Sequence, residues 1–129
     1  MKIEHMTDID HWQQTLNENK LVVTDFWAGW CRPCVFLGQT FDKMVEEGRE
    51  EFKDIVVAKI DTEDPNFTEM SQEYQISSIP TMFIHIKGQH VGFQTEQGQI
   101  DRIMGALPKE QLEDLFATLA KEADKAEAS

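Results

Sequence analysis

The chain has 129 residues, 40% of them hydrophobic and 28% charged, with 7 glycines, 4 prolines and 2 cysteines, which is the make-up of one folded soluble domain. Disordered, collagenous and low-complexity chains are excluded. The 24 acidic against 12 basic side chains leave a net charge of −12, a sign that repels phosphate backbones and anionic lipid, so neither nucleic acid nor a membrane is expected as a partner.

From Asp8 to Glu18, Ile9, Trp12 and Leu16 recur at helical spacing behind a Thr7/Asp8 cap. Leu21 to Trp27 is almost continuously apolar and β-branched or aromatic, with Asp25 its one charge, as in a central strand covered on both faces. After the cysteines, Leu37, Phe41, Met44 and Val45 mark one face of a long helix that weakens near Gly48 and runs out before Asp54. Ile55 to Ile60 reads as a second buried strand. Asp64-Pro65 opens a third helix, with a capping carboxylate before a proline and Phe67, Met70 and Tyr74 on its core face.

Thr81–Ile86 and His90–Thr95 read as strands joined by the Lys87-Gly88-Gln89 turn, hence as an antiparallel hairpin. Leu112, Leu115, Phe116 and Leu119 form the stripe of a last helix opening after Pro108. The expected order is α-β-α-β-α-β-β-α in one domain over residues 1–121, with a polar tail at 122–129 that frays or is disordered. Met1 to Thr15 holds no apolar run of signal-peptide length, and nothing approaches the roughly 20 apolar residues that cross a bilayer, so a cytoplasmic protein is expected.

The chemistry concentrates in Phe26-Trp27-Ala28-Gly29-Trp30-Cys31-Arg32-Pro33-Cys34, at the end of the first strand and the start of the long helix. A helix N-terminus carries unpaired N–H groups and partial positive charge, so a cysteine there ionises readily. Two intervening residues let the second sulfur reach the first, so Cys31 attacks a disulfide and Cys34 resolves the mixed disulfide. Zinc is the rival for a C-x-x-C pair, and His85-x4-His90 has finger-like spacing. The interval from Cys34 to His85 is too long for a compact finger, so no metal is expected; His85 reads as a strand residue and His90 as a turn residue with solvent access. Asp25, six residues before Cys31 in an apolar strand, is expected to be buried, with a raised pKa that suits a proton carrier.

Across residues 8 to 120 the sequence resembles the thioredoxin family. The resemblance rests on Asp25-Phe26-Trp27-Ala28, Trp30-Cys31-x-Pro33-Cys34, Val57-Ala58-Lys59, Ile79-Pro80-Thr81 and Gly105-Ala106-Leu107. It implies a thioredoxin-like α/β fold, a central mixed sheet flanked by helices on both faces. It also implies a cis bond before Pro80 that lies against the cysteines and leaves backbone free to pair with substrate. Lys59 matches the lysine beside the buried acid, and Trp30, Ile79, Pro80, Gly105 and Ala106 match a docking groove, to which Arg32 and Pro33 add contacts. The implied activity is reduction of disulfides in substrate proteins by a monomer, without metal or organic cofactor, the electrons coming from a flavin-dependent thioredoxin reductase. The alternatives are a docking or chaperone module on the same fold, or a more oxidising relative that forms or isomerises disulfides.

Arg32, Val35 and Ser78 depart from residues common in the family at those places, Gly, Lys and Gly respectively. A guanidinium beside Cys31 favours the thiolate and so a slightly more oxidising disulfide. Gln94 to Asp101 is longer than the family's usual connection, as a partner-recognition segment or a neutral loop extension.

Overall fold

The structure, a computed structural model, describes residues 1–128; Ser129, the last residue of the expected tail, lies outside them. Lys2–His5 (β1), Ile55–Asp61 (β3), Leu21–Trp27 (β2), Thr81–Ile86 (β4) and Gln89–His90 (β5) lie side by side in that order in one sheet. β1, β3 and β2 run parallel, and β4 is antiparallel to β2. Ile103–Met104 (β8) joins the same edge of β4 beside Thr81 and Met82.

Alternation along the strands sorts side chains into two layers. Leu21, Val23, Ile55, Val57, Met82 and Ile84 face the helices Arg32–Glu47 (α2) and Lys109–Ala128 (α4). Val22, Phe26, Val56, Ala58, Ile60 and Phe83 face Ile9–Glu18 (α1) and Thr68–Glu73 (α3). The architecture is therefore the expected mixed sheet with helices on both faces. Asp25 and Lys59 keep the parity of the first set, so both point toward α2, as register partners on β2 and β3.

Several elements differ from the sequence expectation. β1 was not anticipated: its four residues hold a single apolar side chain, Ile3, and it is a half-exposed edge strand. The third helix begins as a 3₁₀ turn over Pro65–Phe67 and ends at Glu73, leaving Tyr74 as its C-cap. Val45 points outward rather than joining Leu37, Phe41 and Met44 in the core. His85 is buried in β4, against the aromatic ring of Trp12, whereas His90 is exposed.

The strand expected over His90–Thr95 is interrupted. Gln89–His90 (β5) pairs with β4 and the Val91 N–H still donates to the Ile84 carbonyl at 2.9 Å; the chain then leaves the sheet and forms a separate hairpin, Phe93–Thr95 (β6) with Gly98–Ile100 (β7). Gly98, at φ +111°, supplies the conformation that closes this turn.

The expected fraying past Lys121 is corrected as well. α4 continues to Ala128 although its last turns lack a stripe of large apolar residues. Ala123 is buried in the α2 and α4 core, and Lys20 Nζ holds Asp124 at 2.6 Å and Glu127 at 3.5 Å. One small buried residue and a charged clasp thus replace a wide apolar face. Ala123→Asp would place a carboxylate in that core without a partner and is expected to destabilise the protein by about 3 kcal/mol in denaturant unfolding. A change below about 0.5 kcal/mol would mean that the last turns are not docked.

Candidate active site

β2 ends at Trp27, and the chain passes through Ala28, Gly29 and Trp30 before α2 begins at Arg32. Cys31 holds the N-cap position in extended backbone, and Pro33 lies in the first turn, where a missing N–H leaves no intrahelical bond unmade. The backbone N–H of Cys34 donates to Cys31 Sγ at 3.3 Å, so sulfur occupies the place usually taken by a capping oxygen. The two cysteines form a disulfide with Cα atoms 5.2 Å apart. Cys31 keeps 5% of its surface exposed and Cys34 none.

The segment before β4 closes over this pair. The Ile79–Pro80 peptide bond is cis, and the Ile79 carbonyl oxygen stands 3.7 Å from Cys31 Sγ. Gly105, at φ +93°, donates its N–H to the Pro80 carbonyl at 2.9 Å, which joins the start of the last connection to the same site. Trp30 is 69% exposed and its indole N–H donates to Glu63 at 2.8 Å. Beside it a cleft of about 400 Å³ runs between Trp30, Ile76 and Ile79, with Ser71, Gln75 and Ser78 among its polar lining.

Below the disulfide the electrostatics change. Asp25 is fully buried and neither carboxylate oxygen has a hydrogen-bond partner in the protein. Lys59 Nζ lies over the Trp27 ring, 4.2 Å from its centroid, rather than against the carboxylate. Gly38 on α2 leaves room for this ammonium, since a Cβ there would stand 3.2 Å from Nζ. Burial pushes the Asp25 carboxyl up to about 7, with the positive charge of Lys59 acting in the opposite direction.

The arrangement unites a sulfur at a helix N-terminus on a residue that keeps a sliver of exposure, a second cysteine with none, and a buried carboxyl able to hold a proton near neutrality. Among the described residues no group of three or more His, Cys, Asp or Glu side chains is placed to hold a metal ion, and no helix is long and apolar enough to cross a membrane.

The thioredoxin family profile matches residues 2–118. A thioredoxin from Mycoplasmoides gallisepticum is 36% identical over 114 residues, covering 88% of this chain and 99% of that one. The chain belongs to the thioredoxin family. A thioredoxin variant from Halobacterium salinarum shares the fold with a TM-score of 0.71 at 22% identity, over 91% of this chain and 89% of that one. A bifunctional thioredoxin reductase/thioredoxin from Mycobacterium leprae is 40% identical over 86 residues, which is 67% of this chain and 18% of that protein. The protein is accordingly a thiol–disulfide oxidoreductase, a protein-disulfide reductase of the thioredoxin type acting through Cys31 and Cys34.

In this chain Ile79 stands against Cys31, Pro80 holds Gly105 through its carbonyl, Trp30 lines the adjoining cleft with Ile79, and Arg32 and Pro33 are exposed on the first turn of α2. Ala106 does not share that surface fully: it is half-buried and packs against the α2 and α4 core. Two contributors had no signal in the sequence. Glu63 reaches Trp30 from a loop 33 residues away, and Met104, 63% exposed on β8, accepts a contact from Ser78 Oγ at 3.6 Å.

The raised Asp25 pKa has a definite sign in stability. Between its ordinary value of 3.8 and about 7 the folded protein keeps a proton that the unfolded chain has released, so stability falls as pH rises across that window and is lowest above it. Asp25→Asn should therefore be more stable than the parent at pH 8, by on the order of 3 kcal/mol, with the gap closing toward pH 4. Equal denaturant midpoints at pH 8 would show that the carboxylate ionises without penalty.

Proposed function

We propose that Cys31 is the attacking thiol and Cys34 the resolving one. In the reduced protein the Cys31 thiolate attacks one sulfur of a substrate disulfide, forming a mixed disulfide and expelling the other substrate sulfur as a thiolate. Cys34 then gives its proton to Asp25 and attacks the Cys31 sulfur; the Cys31–Cys34 disulfide forms and the second substrate sulfur leaves and is protonated. The observation that carries this assignment is the unequal burial of the two cysteines, 5% of Cys31 exposed against none of Cys34, with the less buried one at the N-cap of α2. A thiolate at that place is favoured by the N–H of Cys34 and by the partial positive charge of the helix end.

Lys59 acts on Asp25 by charge, lowering the cost of its ionised form after proton uptake and return. Substrate backbone lies against Ile79 and Pro80, with Trp30, Arg32, Pro33, Gly105 and the edge of Ala106 as its surroundings. Exposed apolar surface at Trp30 and Met104 supports this docking reading. The electron donor is a flavin-dependent thioredoxin reductase, in keeping with the fusion of the two activities named for the Mycobacterium leprae relative. On this reading the protein works as a cytoplasmic monomer, which leaves the Trp30 surface free for substrate.

Alkylation of the reduced protein at mildly acid pH should modify Cys31 before Cys34, read by peptide mass spectrometry. Cys34→Ser should accumulate mixed disulfides with a disulfide-containing protein, and Cys31→Ser should not. Faster modification of Cys34, or a Cys34→Ser protein that traps nothing, would overturn the assignment.

A further inference from the structure

α3 ends in a motif that usually calls for glycine. Gln75 adopts a left-handed conformation at φ +53°, while Gln75 N–H bonds to the Gln72 carbonyl at 3.0 Å and Ile76 N–H to the Ser71 carbonyl at 2.9 Å. This is a helix end with glutamine at the position where a side chain is disfavoured. The carbonyls of Tyr74 and Gln75 are left outside the helix. Both accept from one guanidinium: Arg102 Nη1 stands 2.7 Å from Tyr74 O and 3.3 Å from Gln75 O.

Arg102 is itself held from three sides. Asp101 takes its remaining nitrogens, Nε at 2.8 Å and Nη2 at 3.1 Å, and the guanidinium lies over the Phe83 ring, 4.9 Å from its centroid. The His90 ring nitrogen Nε2 donates to the Asp101 carbonyl at 2.7 Å, and the His90 ring lies tilted against Phe83, centroids 4.8 Å apart. These residues bracket the β6–β7 hairpin: His90 precedes it and Asp101 and Arg102 follow it. The segment they grip continues directly through Ile76, Ser77 and Ser78 to Ile79 and cis-Pro80, and Gln75 to Ile79 form one wall of the cleft beside Trp30.

We propose that Arg102 is a positioning residue for disulfide exchange, one that fixes the Gln75–Ile79 wall of the substrate cleft by binding the carbonyl end of α3. The inserted hairpin thereby acquires a role at a distance: its base delivers Arg102 and Asp101 to the wall. Arg102 touches neither sulfur, so its removal acts on protein substrates that occupy the cleft and not on the dithiol. The inference rests on the docking reading given above, and the test separates the two.

Arg102→Met keeps the stem over Phe83 and removes every donor. Amide exchange at Gln75 and Ile76 should rise by about tenfold or more, because one charge-assisted hydrogen bond is worth about that factor. Exchange in β2 and β3 should not change. KM for a disulfide-bonded protein such as insulin should rise severalfold at nearly constant kcat, whereas reduction of a small aromatic disulfide and the alkylation rate of Cys31 should match the parent. Arg102→Lys, with one cationic donor restored, should recover part of the KM. An unchanged KM, a rise in KM shared equally by the small disulfide, or a loss of protection throughout the sheet would each overturn the proposal. Failure of the parent protein to reduce the protein disulfide would instead overturn the docking reading.

Discussion

The bond from the Cys34 backbone N–H to the Cys31 sulfur, 3.3 Å long, places the reactive atom in the electrostatic field of a helix end. A helix leaves its first N–H groups without internal partners, and their partial positive charge falls away within about one turn. Sulfur at the N-cap receives this field in full, on a residue that keeps 5% of its surface exposed. The position depends in turn on β2, which lies between β3 and β4, is buried for all but its last residue, and delivers Cys31 four residues beyond Trp27. The same strand carries Asp25, so the N-cap sulfur and the buried acid are set by one element rather than by two loops.

Asp25 gives this economy a thermodynamic counterweight. A carboxyl buried without a hydrogen-bond partner, and with Lys59 turned onto Trp27, lowers stability once it ionises. Packing does not account for such a carboxyl, whereas the proton transfer proposed for it does. Gly38 fits the same logic, because the space it leaves is filled by the Lys59 ammonium. Fold and chemistry compete at these three residues, and the surrounding sheet absorbs the difference.

Much of this was legible in the chain because it rests on local pattern. The near-continuous apolarity of Leu21–Trp27 and Ile55–Ile60 identified the central strands, and the sulfur spacing at a strand–helix junction identified the chemistry. Legibility failed where stability came from partners distant in sequence. β1 is short and mostly polar, and it exists because β3 offers it an edge along Val56–Lys59. The last turns of α4 rest on Ala123 and on Lys20, more than 100 residues earlier. Glu63 and Arg102 contribute through Trp30 and Tyr74, 33 and 28 residues from them, and neither lies in a recognisable motif. The break in the strand after His90 was concealed because its residues are as β-prone as those of the hairpin they form instead.

Reduction of protein disulfides requires that Cys31 and Cys34 form a reversible two-electron couple poised on the reducing side. Equilibrating the protein in dithiothreitol buffers and counting free thiols by mass spectrometry measures that potential directly. The expected result is one two-electron transition at or slightly above about −270 mV, the range of a reducing thioredoxin, with Arg32 moving it by no more than roughly 20 mV. A midpoint near about −120 mV, that of a strong oxidant, or thiols that do not return to the disulfide, would contradict the assignment of this chain as a disulfide reductase.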